Sequence, residues 1–162
     1  MISVVIPTLN DAAVLGRALQ PLVSAAIDGL VSEVIVVDAG STDATLEIAD
    51  DAGCRIVQAP ASGSAGGAWS IGQEAARRDW ILQLEPMAWL APAWEGAARD
   101  HIERHPGRAA IFPAAREGLL GRLGVAGRAH QALLAPRSWF GTGTWPRRLS
   151  VRLLPPSTRR SG

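Results

Sequence analysis

Apolar residues in this chain alternate between two spacings. Ile2-Ser-Val-Val-Ile6 and Val34-Ile-Val-Val37 are short runs dominated by β-branched residues. Runs of that kind predict strands buried on both faces, as in a parallel sheet. Between them Val14, Leu15, Ala18, Leu19 and Leu22 recur at helical spacing, after an Asn10 or Asp11 that can cap the helix. Pro21 is expected to break or kink this helix, with residues 25–30 resuming it. A second helix is expected after Thr42, ending at Gly53. Residues 55–58 read as a third strand. Residues 68–77 read as a helix with Trp69, Gly72 and Ala76 on one face, and 80–84 as a fourth strand. A helix opening at Pro92 and running to His105, then a strand at 109–112, follow. Strand and helix alternate four times, which predicts a parallel sheet with right-handed crossovers. Beyond Pro113 the pattern weakens. Residues 119–135 read as partly helical, 141–146 as a loop, 149–154 as a last strand and 155–162 as a loose tail.

Ligands of open α/β sheets sit at the carboxyl ends of the strands. Asp38 ends the second strand, and Ala39-Gly-Ser-Thr-Asp43 follows as a turn. Asp38 is thus a carboxylate in the expected crevice, beside a helix N-terminus that Ser41, Thr42 or Asp43 can cap. An ordinary βα turn with an exposed Asp accounts for the same residues equally well.

Composition narrows the classes. The 162 residues suffice for one domain with a sizeable core. A single cysteine, Cys54, excludes an intramolecular disulfide and a Cys-based metal site, and its setting predicts a buried, inert thiol. No stretch reaches the length of a membrane span, and Met1 leads straight into a strand with no basic region or cleavage site, so no signal peptide is expected. The expected compartment is the cytoplasm. Charge is uneven. Residues 116–162 hold nine Arg and one acid, net +8. Residues 1–115 hold seven Arg and fourteen acids, net −7. The basic part predicts an anionic partner, or else it is a solvated tail balancing an acidic body.

Residues 2–10 (ISVVIPTLN), 33–45 (EVIVVDAGSTDAT) and 72–84 (GQEAARRDWILQL) resemble the N-terminal half of family 2 glycosyltransferases of the GT-A fold. The resemblance covers roughly residues 1–112. It implies that the first two turns hold the nucleotide of a sugar-nucleotide donor, most often a UDP-sugar. Pro7, Thr8 and Asp11 would line base and ribose. Asp38 would accept a hydrogen bond from the base. Asp43 matches the acid of the family's Ser-Thr-Asp sequence, with helix capping an equal contender. His130-Gln-Ala-Leu-Leu134 is read as a remnant of the family's Gly-Asp-Gln-Ala type motif.

Two departures stand beside these matches. The family's Asp-x-Asp type motif binds Mg²⁺ or Mn²⁺, and here it falls on Glu85-Pro86-Met87. Glu85 can supply one carboxylate, whereas the Met87 thioether suits hard cations poorly. The family's acidic pair, which provides the general base, has no counterpart, because residues 132–148 contain no Asp or Glu. No catalytic residue is assigned.

Other constellations carry less. His101 and His105 share a helical face without a third ligand, which predicts a surface pair. Gly63, Gly66 and Gly67 match neither a dinucleotide fingerprint nor a P-loop, and read as a mobile loop. Trp80, Trp89 and Trp94 read as core or crevice rim. Trp139, Phe140 and Trp145 lie among Arg137, Arg147 and Arg148, a mixture suited to a membrane interface or to packing on the sheet. No motif for nucleic acid accompanies the Arg.

The expected architecture is therefore α/β, a GT-A-like, Rossmann-like three-layer sandwich, truncated, with a mostly parallel central sheet. Residues 1–115 form the nucleotide-sugar domain, and 116–162 form a basic extension packed on or beside it. The expected function is that of a glycosyltransferase-like protein using a UDP-sugar. A non-catalytic nucleotide or partner binder is the alternative, as is a peripheral inner-membrane or scaffold protein acting through the Arg/Trp part.

Overall fold

A computed structural model describes residues 1–60, 65–88, 90–113, 131–140 and 147–148. The chain runs β1 (Ile2–Thr8), α1 (Ala12–Ile27), β2 (Val31–Asp38), α2 (Thr45–Asp51), β3 (Arg55–Gln58), α3 (Ala65–Ala75), β4 (Trp80–Leu84), α4 (Trp94–Arg104), β5 (Ala110–Pro113), β6 (Gln131–Pro136) and β7 (Arg147–Arg148). These strands form one sheet in the order β3-β2-β1-β4-β6-β5-β7. β1 pairs parallel with β2 and β4, and β2 pairs parallel with β3. β6 pairs antiparallel with both β4 and β5.

Period-two alternation along β1 sends side chains to two separate cores. Ile2, Val4 and Ile6 pack with Leu15, Leu19, Leu22 and Trp94 on the α1 and α4 face. Val5, Val37 and Ile81 pack with Ala68, Ala76 and the half-buried Trp69 on the α3 face. The sandwich thus has three layers, as the sequence leads one to expect.

Two expectations are corrected. α1 runs unbroken through Pro21. Proline removes one helix N–H there, but Ala18, Leu19 and Leu22 anchor the turns around it in the core. Residues 131–135 are strand, not helix, because the open edges of β4 and β5 supply partners that override the local Ala and Leu propensity. β6 lies inside the sheet, between β4 and β5. The expected last strand at 149–154, the loop at 141–146 and the tail at 155–162 lie outside the described residues.

α3 approaches the sheet closely because Gly72 has no side chain. A Cβ there would come 2.2 Å from Val5 Cγ1 and 3.0 Å from Val37 Cγ2. Val5 and Val37 are fully buried and stiff at χ1, so neither can give way. Gly72→Ala gains about 1 kcal/mol of helix propensity against an overpacking cost of about 3 kcal/mol. A net loss of about 2 kcal/mol is expected in urea unfolding.

Glu33 ties β2 to β1 and to the chain leaving α3. Ser3 Oγ donates to Glu33 Oε1 at 2.6 Å, the Arg77 N–H donates to the same oxygen at 2.7 Å, and Arg55 lies 3.8 Å from Oε2. Burial pushes this carboxyl up, but the Ser3 and Arg77 hydrogen bonds and the charges of Arg55 and Arg77 outweigh it, so it titrates below its ordinary value. A carboxyl lowered by folding contributes stability that is present above its unfolded value and lost as pH falls through the folded one. Thermal unfolding at pH 7 and pH 3.5 should therefore show a smaller acid-induced drop in Tm for Glu33→Gln than for the parent chain.

Candidate functional site

A cavity of about 560 Å³ opens at the carboxyl ends of β1, β2, β3 and β4. Pro7, Thr8, Leu9 and Asp11 come from the end of β1, and Ala39 from the end of β2. Ala59 and Pro60 follow β3, and Glu85, Pro86 and Met87 follow β4. Gly67, Ala68, Trp69 and Ile71 of α3 close the remaining wall. Pro7, Thr8, Asp11 and Glu85, each singled out from the sequence, thus meet in one cavity. Ala39, the Ala59-Pro60 pair, Trp69 and Ile71 were not singled out. Their place just past strand ends and at a helix start is the signal that could have found them. Leu9 and Met87 are unusually exposed for large apolar side chains, at 54% and 62%.

Asp38 and Asp43 do not line this cavity; they build it. Asp38 is fully buried. Its carboxylate accepts from the Gly40 N–H at 2.9 Å, the Ser41 N–H at 3.0 Å and Ser41 Oγ at 2.5 Å. Thr8 Oγ1 adds a longer contact at 3.4 Å. In this structure the Asp38 carboxylate is engaged by its own loop and by Thr8. Alternation along β2 and the immediate turn at Gly40, whose φ is +100°, direct the carboxylate inward to its own loop.

Asp43 caps two helices at once. Its carboxylate accepts from Thr45 Oγ1 at 2.5 Å and the Thr45 N–H at 3.0 Å at the start of α2, and from the Ala12 N–H at 3.1 Å at the start of α1. The Thr45 hydroxyl and these N–H donors hold its carboxyl below the ordinary range. Asn10 completes the seam: its N–H donates to Ser41 Oγ at 2.9 Å, and its Oδ1 accepts from the Thr42 N–H at 2.8 Å. Thr45 Oγ1 accepts the Asp11 N–H at 2.9 Å. Capping is thus reciprocal between neighbouring βα loops, where the sequence suggested a cap local to each helix.

Among the described residues no three His, Cys, Asp or Glu side chains converge as a metal cage. Glu85 is the carboxylate at the cavity's β4 side, and Met87 offers only sulfur. These residues alone do not make the two-carboxylate grip implied by the resemblance. The histidine pair is not a surface pair. His101 is 2% exposed, places Nε2 2.7 Å from the Arg108 carbonyl oxygen, and meets Trp80 edge-on at 6.0 Å. Cys54 is half-buried, and burial pushes its thiol up to about 11, as befits an inert thiol.

Arg137 is the one arginine beyond 116 whose side chain is described. Nη1 donates to the Ala76 carbonyl at 2.6 Å and Nη2 to the Glu74 carbonyl at 3.2 Å, so it caps the C-terminal end of α3. Arg55 donates to the neighbouring Ala75 carbonyl. Phe140 packs on the α3-side core and meets Trp139 at 5.5 Å. Packing, rather than exposure to an interface, accounts for Phe140. Trp89, Trp145 and the other C-terminal arginine side chains lie outside the described residues. Among the described residues no helix is long and apolar enough to cross a membrane.

Comparison with known proteins agrees with this architecture. An uncharacterized glycosyltransferase of Rickettsia felis is 37% identical over 84 residues, 52% of this chain and 28% of that protein. Glucosyl-3-phosphoglycerate synthase of Mycobacterium tuberculosis is 46% identical over 56 residues, 35% of this chain and 17% of that one. The crystal structure of a glucosyl-3-phosphoglycerate synthase from M. tuberculosis with Mn²⁺ and UDP-glucose superposes with a TM-score of 0.66. It is 25% identical and covers 85% of this chain and 56% of that chain. The chain thus spans about a quarter of the Rickettsia relative and just over half of the crystallised synthase. The description "Glycosyl transferase family 2" matches residues 3–121, well over half of the chain, and with the GT-A architecture just described it places this protein in glycosyl transferase family 2.

Proposed function

We propose that the cavity at the ends of β1 to β4 binds the nucleotide of a nucleoside-diphosphate sugar, with UDP-sugars the first class to test. The observation that carries this reading is the convergence of Pro7, Thr8, Asp11 and Glu85 on one cavity of about 560 Å³. That volume suits a drug-sized ligand. The synthase similar to this chain was crystallised with UDP-glucose and Mn²⁺, which supports the choice of donor. In this reading Asp38 and Asp43 hold the loops that shape the cavity. Residues 1–115 carry the nucleotide. Residues 116–162 complete the sheet through β6, and their net charge of +8 supports an anionic surface, such as a lipid headgroup layer, as their partner. A cytoplasmic setting, at or near the inner membrane, fits both parts.

Met87 favours a second reading, in which the protein binds the nucleotide and turns it over slowly or not at all. Glu85 would be the side chain that holds Mg²⁺ or Mn²⁺, the rest of the shell coming from diphosphate oxygens and water. Calorimetric titration with UDP tests both readings. Saturable binding is expected with EDTA present, strengthened by Mn²⁺ less than tenfold (~1.4 kcal/mol). Mn²⁺ without nucleotide should bind weakly. Low-micromolar Mn²⁺ affinity lost in Glu85→Gln would show a more complete metal site than Glu85 can make alone.

A further inference from the structure

Gly67, Ala68, Trp69 and Ile71, from the first half of α3, line the cavity. The opposite end of this helix is held from two directions. Arg137 Nη1 donates to the Ala76 carbonyl at 2.6 Å and Nη2 to the Glu74 carbonyl at 3.2 Å, while Arg55 of β3 donates to the Ala75 carbonyl between them. Three consecutive carbonyls at the negative end of the helix dipole thus meet a guanidinium. Arg137 is itself pinned. Its N–H donates to the Asp79 carbonyl at 2.6 Å, and Pro136 before it pairs with Trp80 of β4. Phe140, one turn on, packs on the cluster that also receives Ala59, Trp69 and Ile71, all three of which line the cavity.

We infer that Arg137 is a positioning residue for the nucleotide cavity: it fixes the height of α3 on the sheet, and with it the wall that α3 presents to the ligand. The inference rests on the nucleotide reading above and extends it to a residue that does not line the cavity. α3 is the sequence Ala65-Gly-Gly-Ala-Trp-Ser-Ile-Gly-Gln-Glu-Ala75. Gly72 lets it lie close against Val5 and Val37. A helix face without a side chain has no ridge to lock into the sheet along the helix axis. The hydrogen bonds at residues 74–76 supply that stop. Gly67 stands about 12 Å from Ala75 at ~1.5 Å per residue, and the helix between them moves as a rod. A shift at the Arg137 end is therefore passed on to the cavity wall.

Calorimetry with UDP and thermal melts of the 162-residue chain, beside its Arg137→Ala, Arg137→Lys and Ile2→Val variants, test this. Ile2 is fully buried in the core on the other face of the sheet, so losing one methyl there lowers stability without touching α3. All titrations are run well below the onset of melting. Arg137→Ala should weaken UDP binding about fivefold or more, as residues that act on a ligand without touching it can do. Lysine keeps the charge but not the fork that spans two carbonyls, so Arg137→Lys should recover part of the affinity. Ile2→Val should bind UDP within about twofold of the parent chain. Unchanged affinity in Arg137→Ala would overturn the inference, as would an equal loss in Ile2→Val, and either result leaves the nucleotide reading intact. If Arg137→Ala does not fold, Arg137→Lys decides alone, and affinity equal to the parent's overturns the inference. Absence of UDP binding by the parent chain would overturn the nucleotide reading, and the inference with it.

Discussion

Transfer of sugar from a UDP-sugar by this chain should run at or below about 0.1 s⁻¹, while UDP itself still binds. Typical enzymes turn over near ~10 s⁻¹. A positioned general base contributes about 10²–10⁴-fold, and the family's acidic pair has no counterpart between Gln131 and Leu149. Replacing one metal carboxylate by Met87 weakens leaving-group stabilisation as well, and electrostatic terms of that kind are often the largest in catalysis. Both deficits fall on the transition state. The cavity proposed for the ground-state nucleotide draws on neither of these residue sets for most of its wall. Glu95 accepts from Ser24 Oγ at 2.6 Å and does not line the cavity, so where it stands it does not repair the loss. Donor hydrolysis and transfer to a panel of sugar and lipid acceptors, measured beside UDP affinity, decide the matter. Turnover near ~10 s⁻¹ on any acceptor would mean that another acid serves as the base, with Glu117 and Glu95 the first to replace.

Asp38→Ala should cost about 3 kcal/mol of stability, a fall in Tm of about 6–12 °C for a chain of this size. The side chain is fully buried and is the common acceptor for donors from the β1 end and the β2–α2 loop. Its removal leaves the Gly40 and Ser41 N–H groups and two hydroxyls without their acceptor, and hydrogen bonds to a charged group are the costlier ones to lose. Asp38→Asn keeps one acceptor oxygen in the same place and should cost roughly half as much. Thermal melts of the two variants check this. Equal stability of Asp38→Ala and the parent chain would show that the loop does not depend on this carboxylate. A fall in UDP affinity that appears only where the melt has begun would assign Asp38 to the loop rather than to the ligand.

The sequence disclosed the parts of the fold whose signals are local. β1 and β2 were legible because unbroken β-branched runs suit strands covered on both faces. α1 was legible from its spacing, although its passage through Pro21 was not, since only the surrounding core shows what outweighs the missing N–H. β6 was hidden because Gln131-Ala-Leu-Leu-Ala-Pro136 is rich in helix formers, and its strand state comes from neighbours distant in sequence. At the site, position was legible and direction was not. Strand ends placed Thr8, Asp38 and Glu85 in one neighbourhood, but the turn after Asp38 decides that its carboxylate is taken up by its own loop. The double cap by Asp43 depends on two helix starts meeting in space, which no single helix signal reports.

The position of β6 has a consequence for how the chain matures. β5 is made before β6, yet its described neighbours in the sheet are β6 and β7 alone. During synthesis β1 to β4 can assemble as an all-parallel unit, leaving the edge of β4 open and β5 waiting unpaired. An open strand edge invites pairing with other chains, and slow non-local pairing prolongs that exposure. β6 can pair with β4 and β5 only once the chain through Pro136 has been made. A fragment stopped at residue 115 would retain every described residue that lines the cavity and is expected to be prone to aggregate.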